Sequence, residues 1–304
     1  MGRLLYGLAY VLSLLPLWLH YLLSRVLWVV MYYVVGYRRE VVRRNLQNSF
    51  PERSLEELRG IEREFYGWFC DYIVETLKLL TMRREDVMRR CRMEGVEDVL
   101  RSLEDHDMVF LYLGHYCNWE YVASLQWWVG EGVRCGQLYS PLHDEAFDYL
   151  FYRIRSRYGG DNIDKRHALR QILEYRRRGQ KAIVGFISDQ APRWENIHLW
   201  TEFLNQDTPF FTGTERIARK VNAAVYYAGM TRDRRGYYTC RMRLMSDDVG
   251  SLGEHELSRR YVELLEASIR EAPAYWLWSH NRWKRKRSEE TELRSEERGV
   301  RREE

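Results

Sequence analysis

The chain lacks several features that would have classified it at once. Its five cysteines, Cys70, Cys91, Cys117, Cys135 and Cys240, are odd in number and nowhere spaced C-x-x-C. Neither a disulfide framework nor a zinc cluster is therefore encoded, no metal is expected, and a reducing compartment is the natural setting. No glycine-rich phosphate loop and no internal repeat is present. Lysine is scarce, with six against 42 arginines. That bias fits a skewed base composition, and it also fits bidentate recognition of a polyanion. A mean hydropathy of −0.54 excludes a polytopic membrane protein. The 45% of hydrophobic residues is too apolar for a disordered polymer. At 304 residues the chain has enough length for about two domains and a substantial core.

One stretch has no ionised residue. From Leu4 to Leu23 the sequence reads LLYGLAYVLSLLPLWLHYLL, and apolarity resumes after Arg25 as VLWVVMYYVV. Twenty helical residues cover roughly 30 Å, the thickness of a bilayer core. Pro16 should break or kink this helix, giving either one bent span or a short helix followed by a longer one. A secretory signal is the rival reading, but no small-x-small cleavage site follows, which favours an uncleaved membrane anchor over residues 1–37. Arg38, Arg39, Arg43 and Arg44 then place the following side in the cytoplasm. A core beginning near Met93 is expected to stay folded without residues 1–35.

After the anchor, Ser54 and Glu57 form a capping-box pattern opening a long amphipathic helix through about Leu80. Beyond Met93, short apolar runs (108–113, 133–139, 182–187, 223–228 and 237–244) alternate with helical stretches near 118–129, 145–157, 166–178, 213–221 and 254–270. This alternation predicts an α/β domain over residues 38–281, with a mainly parallel central sheet flanked by helices. From Arg282 to residue 304 the chain is almost wholly charged, opening with the basic block RWKRKR, which is expected near a membrane surface.

The chemistry gathers at VFLYLGHYCNWE, residues 109–120. His115 follows directly on an apolar strand, and carboxyl ends of strands are where open α/β sheets bind ligands. A neutral imidazole there can take a proton from an attacking hydroxyl, while a carboxylate fixes its tautomer. The motif spacing names Glu120 as that carboxylate. Asp189, which ends the apolar run AIVGFIS, could also reach His115 if the two strands are neighbours. A second pair of the same spacing, His143 with Asp148, follows Pro141 and reads as the acidic first turn of a surface helix.

Several ordered segments together resemble the lipid A biosynthesis (late) acyltransferases, a branch of the lysophospholipid acyltransferase superfamily marked by a His-x4-Asp/Glu motif. They are the N-terminal anchor, RRNLQNSFPE at 43–52, GHYCNWE at 114–120, ISDQAP at 187–192, FLNQDTPFFTGTERIARK at 203–220 and APAYWLWSHNRWK at 272–284. The resemblance implies transfer of a fatty acyl group from acyl carrier protein to a hydroxyl of a lipid A precursor, at the cytoplasmic face of the inner membrane. It implies neither metal nor redox cofactor, and no nucleic-acid partner. FLNQDTPFFTG departs from the shorter phenylalanine-glycine turn of many relatives, which puts the wall of the acceptor or acyl pocket in question.

Further binding candidates follow from motif position and charge. Arg153 and Arg155, in YRIRSRYG, sit where the family carries an arginine and suit a phosphate of the acceptor or of the carrier's arm. Gln190 adjoins Asp189 in ISDQAP. Thr212, Gly213 and Thr214 offer donors at a helix N-terminus, an anion or oxyanion site. Two other readings remain open: the same chemistry on another glycolipid or an amino-acid lipid, and a non-catalytic binder of anionic membranes that uses the anchor and arginine clusters alone.

Overall fold

Pro16 cannot donate a backbone N–H, and the N-terminal apolar stretch divides there in the computed structural model, which describes residues 2–289. Helix α1 covers Gly2–Leu14, and α2 covers Leu17–Val29 and continues as a π-helical turn over Val30–Val35. The 19 residues Leu17–Val35 are long and apolar enough to cross a membrane. After α3 (Arg39–Ser49), α4 (Leu55–Lys78) begins at the expected capping box, where Ser54 Oγ accepts from the Glu57 N–H and the Ser54 N–H donates to Glu57 Oε2.

The apolar helices are strapped to α4 by their few polar groups. Lys78 Nζ donates to the carbonyls of Ser13 and Leu15, both at 2.8 Å, and Ser24 Oγ donates to Asp71 at 2.6 Å. Tyr21 Oη donates to Glu75 at 3.0 Å. Leu8, Val11, Trp18, Leu22 and Val26 are left exposed on the outside. This is the reverse of an ordinary surface helix, with polar groups turned inward and apolar ones outward.

The remainder alternates as the apolar runs predict. In order come α5 (Arg84–Arg90), β1 (Cys91–Glu94), α6 (Val96–Asp105), β2 (Met108–Leu113), a 3-10 segment (Trp119–Leu125), α7 (Gln126–Val129) and β3 (Arg134–Tyr139). Then follow α8 (Glu145–Ser156), β4 (Asp161–Asp164), α9 (Ala168–Arg177), β5 (Ala182–Ile187), β6 (Leu199–Phe203), β7 (Gln206–Phe210), α10 (Gly213–Val221), β8 (Ala224–Arg234), β9 (Tyr237–Ser246) and α11 (Glu256–Glu271).

Seven strands form one sheet in the order β1-β9-β8-β2-β5-β3-β4. The five from β8 to β4 are parallel, β9 runs antiparallel to β8, and β1 pairs parallel with β9. All six residues of β2 are buried, as a central parallel strand covered on both faces requires. The chain leaves β2 toward β3 and leaves β5 toward β8, on the opposite side, so a crevice opens at the carboxyl ends of β2 and β5.

The segment FLNQDTPFFTG forms the turn and second strand of a separate hairpin, β6–β7, whose two turn residues Leu204 and Asn205 have φ of 51° and 60°. The basic block RWKRKR is split. Lys284 and Lys286 are exposed, whereas Arg282 is wholly buried, with Nη2 donating to the Pro209 carbonyl and the guanidinium 4.6 Å over the Phe210 ring. A weakly hydrated, planar cation can be stacked in this way, and a pattern of charges does not reveal it. Residues 290–304 of the charged tail lie outside the described residues.

Candidate active site

Strand register assembles the site. Leu113 of β2 is paired with Ile187 of β5, and two residues beyond each stand His115 and Asp189. Asp189 takes the ring Nδ1 of His115 at 2.6 Å on one oxygen and the His115 backbone N–H at 2.7 Å on the other. Trp276 Nε1 donates to the second oxygen at 2.8 Å. Burial alone would raise the Asp189 pKa, but the adjacent His115 charge and these hydrogen bonds outweigh it and hold the carboxyl at about 2. In the neutral ring, an ionised Asp189 keeps the proton on Nδ1, and Nε2 then carries the lone pair. Gln190 Nε2 lies 3.3 Å from that nitrogen, and the His115 side chain keeps 18% of its surface exposed.

The carboxylate on His115 is therefore Asp189, and the partner that motif spacing names is engaged elsewhere. Glu120 is the second residue of the 3-10 segment, which turns it away from the imidazole toward α8. There Arg155 Nε and Nη2 grip it at 2.9 and 2.7 Å, and Trp119 Nε1 donates at 3.1 Å. The Glu120 charge raises the Arg155 pKa against burial, which lowers it.

An open cleft lies between the 3-10 segment and the sheet, lined by neither His115 nor Asp189 but by their chain neighbours Leu113 and Ile187. Leu111, Leu113, Ile183 and Ile187 supply an apolar wall, Gly185 leaves a gap in it, and Trp119, Glu120 and Arg155 border the cleft as well. The His115 ring meets Trp119 edge-on, with ring centroids 4.9 Å apart. An imidazole thus stands near a cleft with an apolar wall.

A sequence profile for bacterial lipid A biosynthesis acyltransferases matches residues 4–285. The chain belongs to this family. It is similar to the lipid A biosynthesis myristoyltransferase of Escherichia coli, with 20% identity over 77% of this chain and 71% of the relative. It is also similar to the E. coli lipid A biosynthesis palmitoleoyltransferase and to a lipid A biosynthesis acyltransferase of Shigella flexneri, with 24% identity over 81% of this chain and 79% of each relative. Its chemistry is accordingly acyl transfer in lipid A biosynthesis, with a lipid A precursor as acceptor.

The other candidates of this lipid A acyltransferase fall in different places. Arg153 is exposed on α8 and faces the Tyr6 ring of α1 at 5.4 Å. Thr212 and Thr214 are buried beneath the end of β5, where Thr214 Oγ1 lies 3.3 Å from Ser188 Oγ. Gly213 is exposed, and none of these four residues borders the cleft. His143 is exposed just ahead of α8, whose N-cap is Asp144, as its acidic neighbours suggest. Sequence reading missed the role of Trp276 as the third donor to Asp189, since an indole amid aromatics reads as packing. His280 approaches from the same segment. Burial pushes its imidazole down to about 4, helped by the Arg282 charge, and the neutral Nε2 accepts the Ala191 N–H at 3.3 Å.

Proposed function

We propose that the protein is a membrane-associated O-acyltransferase that moves a fatty acyl chain from acyl carrier protein to a hydroxyl of a lipid A precursor, at the cytoplasmic face of the inner membrane. The observation that carries this reading is the His115–Asp189 pair near the apolar cleft. The acceptor oxygen attacks the thioester carbonyl carbon while His115 Nε2 takes the hydroxyl proton. Asp189 stabilises the resulting imidazolium. Collapse of the tetrahedral intermediate expels the carrier thiolate, which takes the proton back from His115. An ester and a free carrier thiol result.

The acyl chain lies along Leu111, Ile183, Gly185 and Ile187 in this reading. Gln190 caps Nε2 until the acceptor hydroxyl replaces it, and Arg155 keeps donors spare for an anionic group of the substrates. Glu120 serves the reaction by holding Arg155 and Trp119 in place. The outward apolar face of α1 and α2 supports a working position against the bilayer.

Membranes containing the protein, given acyl carrier protein loaded with labelled chains and a lipid A precursor, should yield labelled lipid. His115→Ala should lower the rate by about 10² to 10⁴, the usual effect of a positioned base, without unfolding the protein. Absence of labelled lipid at every chain length, or an undiminished rate in the variant, would overturn the reading.

A further inference from the structure

Outside the dyad, a second group of buried ionisable side chains lies where α2 packs on α4. Glu75 of α4 is wholly buried and accepts three hydrogen bonds. Tyr21 Oη, from α2, donates to Oε1 at 3.0 Å, while Asn118 Nδ2 and Tyr238 Oη donate to Oε2 at 3.0 and 2.7 Å. One turn earlier on α4, Asp71 takes Ser24 Oγ of α2 together with Arg232 and Arg235. The first of these two ties reaches the loop of residues 114–120 directly through Asn118, and the second reaches it only at one remove, through Arg232 over the Tyr275 ring at 5.1 Å.

Asn118 is wholly buried and lies between His115 and Glu120. The loop it belongs to is held in an unusual shape, with Cys117 at a left-handed φ of 52°. A non-glycine residue keeps that conformation only where its surroundings impose it. On one side the loop is sewn by its backbone to the C-terminal segment, with Cys117 N–H donating to the Tyr275 carbonyl at 2.8 Å and Leu277 N–H to the His115 carbonyl at 3.1 Å. On the other side the Asn118–Glu75 hydrogen bond holds it.

We propose that Glu75 is a positioning residue that couples the seat of α2 on the domain to the geometry of the catalytic loop, through Tyr21 on one carboxylate oxygen and Asn118 on the other. The proposal rests on the assignment of His115 as the base. Tyr21 Oη is the described donor to Oε1. Without it the carboxylate keeps only its Oε2 partners, Tyr238 and Asn118, and gains room to turn about its terminal torsion, which is broad for such groups, so that Asn118 shifts with it. An α2 lifted from α4 thus leaves Asn118 on a carboxylate held from one side only. Contact of α2 with the bilayer and competence of His115 become linked through one carboxylate.

The test uses the full-length protein in vesicles and compares Tyr21→Phe and Ser24→Ala, each alone and combined with Asn118→Ala. Tyr21→Phe should lower kcat about 3- to 10-fold, the effect of one hydrogen bond, with KM for both substrates unchanged. Combined with Asn118→Ala it should add no further loss, because the two act as a unit, whereas Ser24→Ala should combine with Asn118→Ala multiplicatively. Hydrogen exchange over residues 114–120 should quicken in Tyr21→Phe and not in Ser24→Ala. A lowered Tm with unchanged kcat in Tyr21→Phe, or multiplicative losses with Asn118→Ala, would overturn the coupling. If the wild type transfers no acyl group, the functional reading fails by itself. The exchange comparison of Tyr21→Phe with wild type then still decides the coupling, with unchanged exchange against it, and it does not depend on the folding of the Asn118 variant.

Discussion

Asp189 holds His115 by its backbone N–H and by its ring, at 2.7 and 2.6 Å, so the imidazole can neither rotate nor change tautomer without breaking a bond to a buried carboxylate. Groups acting as such a unit lose function together. Asp189→Asn and His115→Ala should each cost about 10² to 10⁴ in kcat and be strongly non-additive in the double variant, whereas Glu120→Gln should combine additively with His115→Ala. Initial rates for both double-variant cycles check this, and additivity of the Asp189 cycle would remove Asp189 from the mechanism. The candidacy of His115 is legible from its place after an apolar strand. Its partner is less so, because spacing along the chain counts residues, while the start of the 3-10 segment decides which way Glu120 points. The buried Arg282 and the hydrogen bond from Trp276 to Asp189 have no local signature at all.

Strands β2 and β5 were readable to the residue, since their apolar runs are the strands. The strands β1 (CRME) and β4 (DNID) were not, being four-residue edge strands with polar residues, held by pairing with a neighbour more than by their own propensity. The hairpin β6–β7 escaped for a similar reason: a turn through Leu204 and Asn205 lacks the usual Asn-Gly or Asp-Gly signal. Gly185, in the middle of β5, lines the cleft without a side chain of its own. A Cβ there would meet Leu113 Cδ1 at 3.4 Å and the Gly136 carbonyl at 3.8 Å, so the backbone tolerates a side chain, whose branches then fill the cleft. Gly185→Val should cut kcat/KM for the longest chain accepted by about 10- to 200-fold and spare shorter ones, read by mass spectrometry of product from mixed acyl donors. An unchanged chain preference would take the acyl group out of this cleft.

At the scale of the molecule, one apolar face is turned outward while the α/β body carries the His115–Asp189 pair. Replacing Val11, Trp18, Leu22 and Val26 together by Gln should release the protein from vesicles in a flotation assay and shift Tm by less than about 4 °C, since these side chains are exposed. Vesicle binding as strong as that of the wild type would place the membrane contact elsewhere. Deleting residues 1–35 is a different experiment, because it strips Tyr21 and Ser24 from the buried carboxylates of Glu75 and Asp71. Against the expectation of a separable anchor, the truncated protein should melt lower and aggregate, as light scattering on heating would report. The α/β class, the apolar N-terminus broken at Pro16, the capped α4 and a histidine at a strand end can be read from the chain, because each rests on local periodicity or on the covalent order of neighbours. Folding alone sets Asp189 against His115, Arg155 against Glu120, and α2 and the loop of residues 114–120 against the one carboxylate of Glu75. Those pairings join residues 74, 35 and 43 or more positions apart, and they follow from strand register and helix packing, which no local pattern specifies.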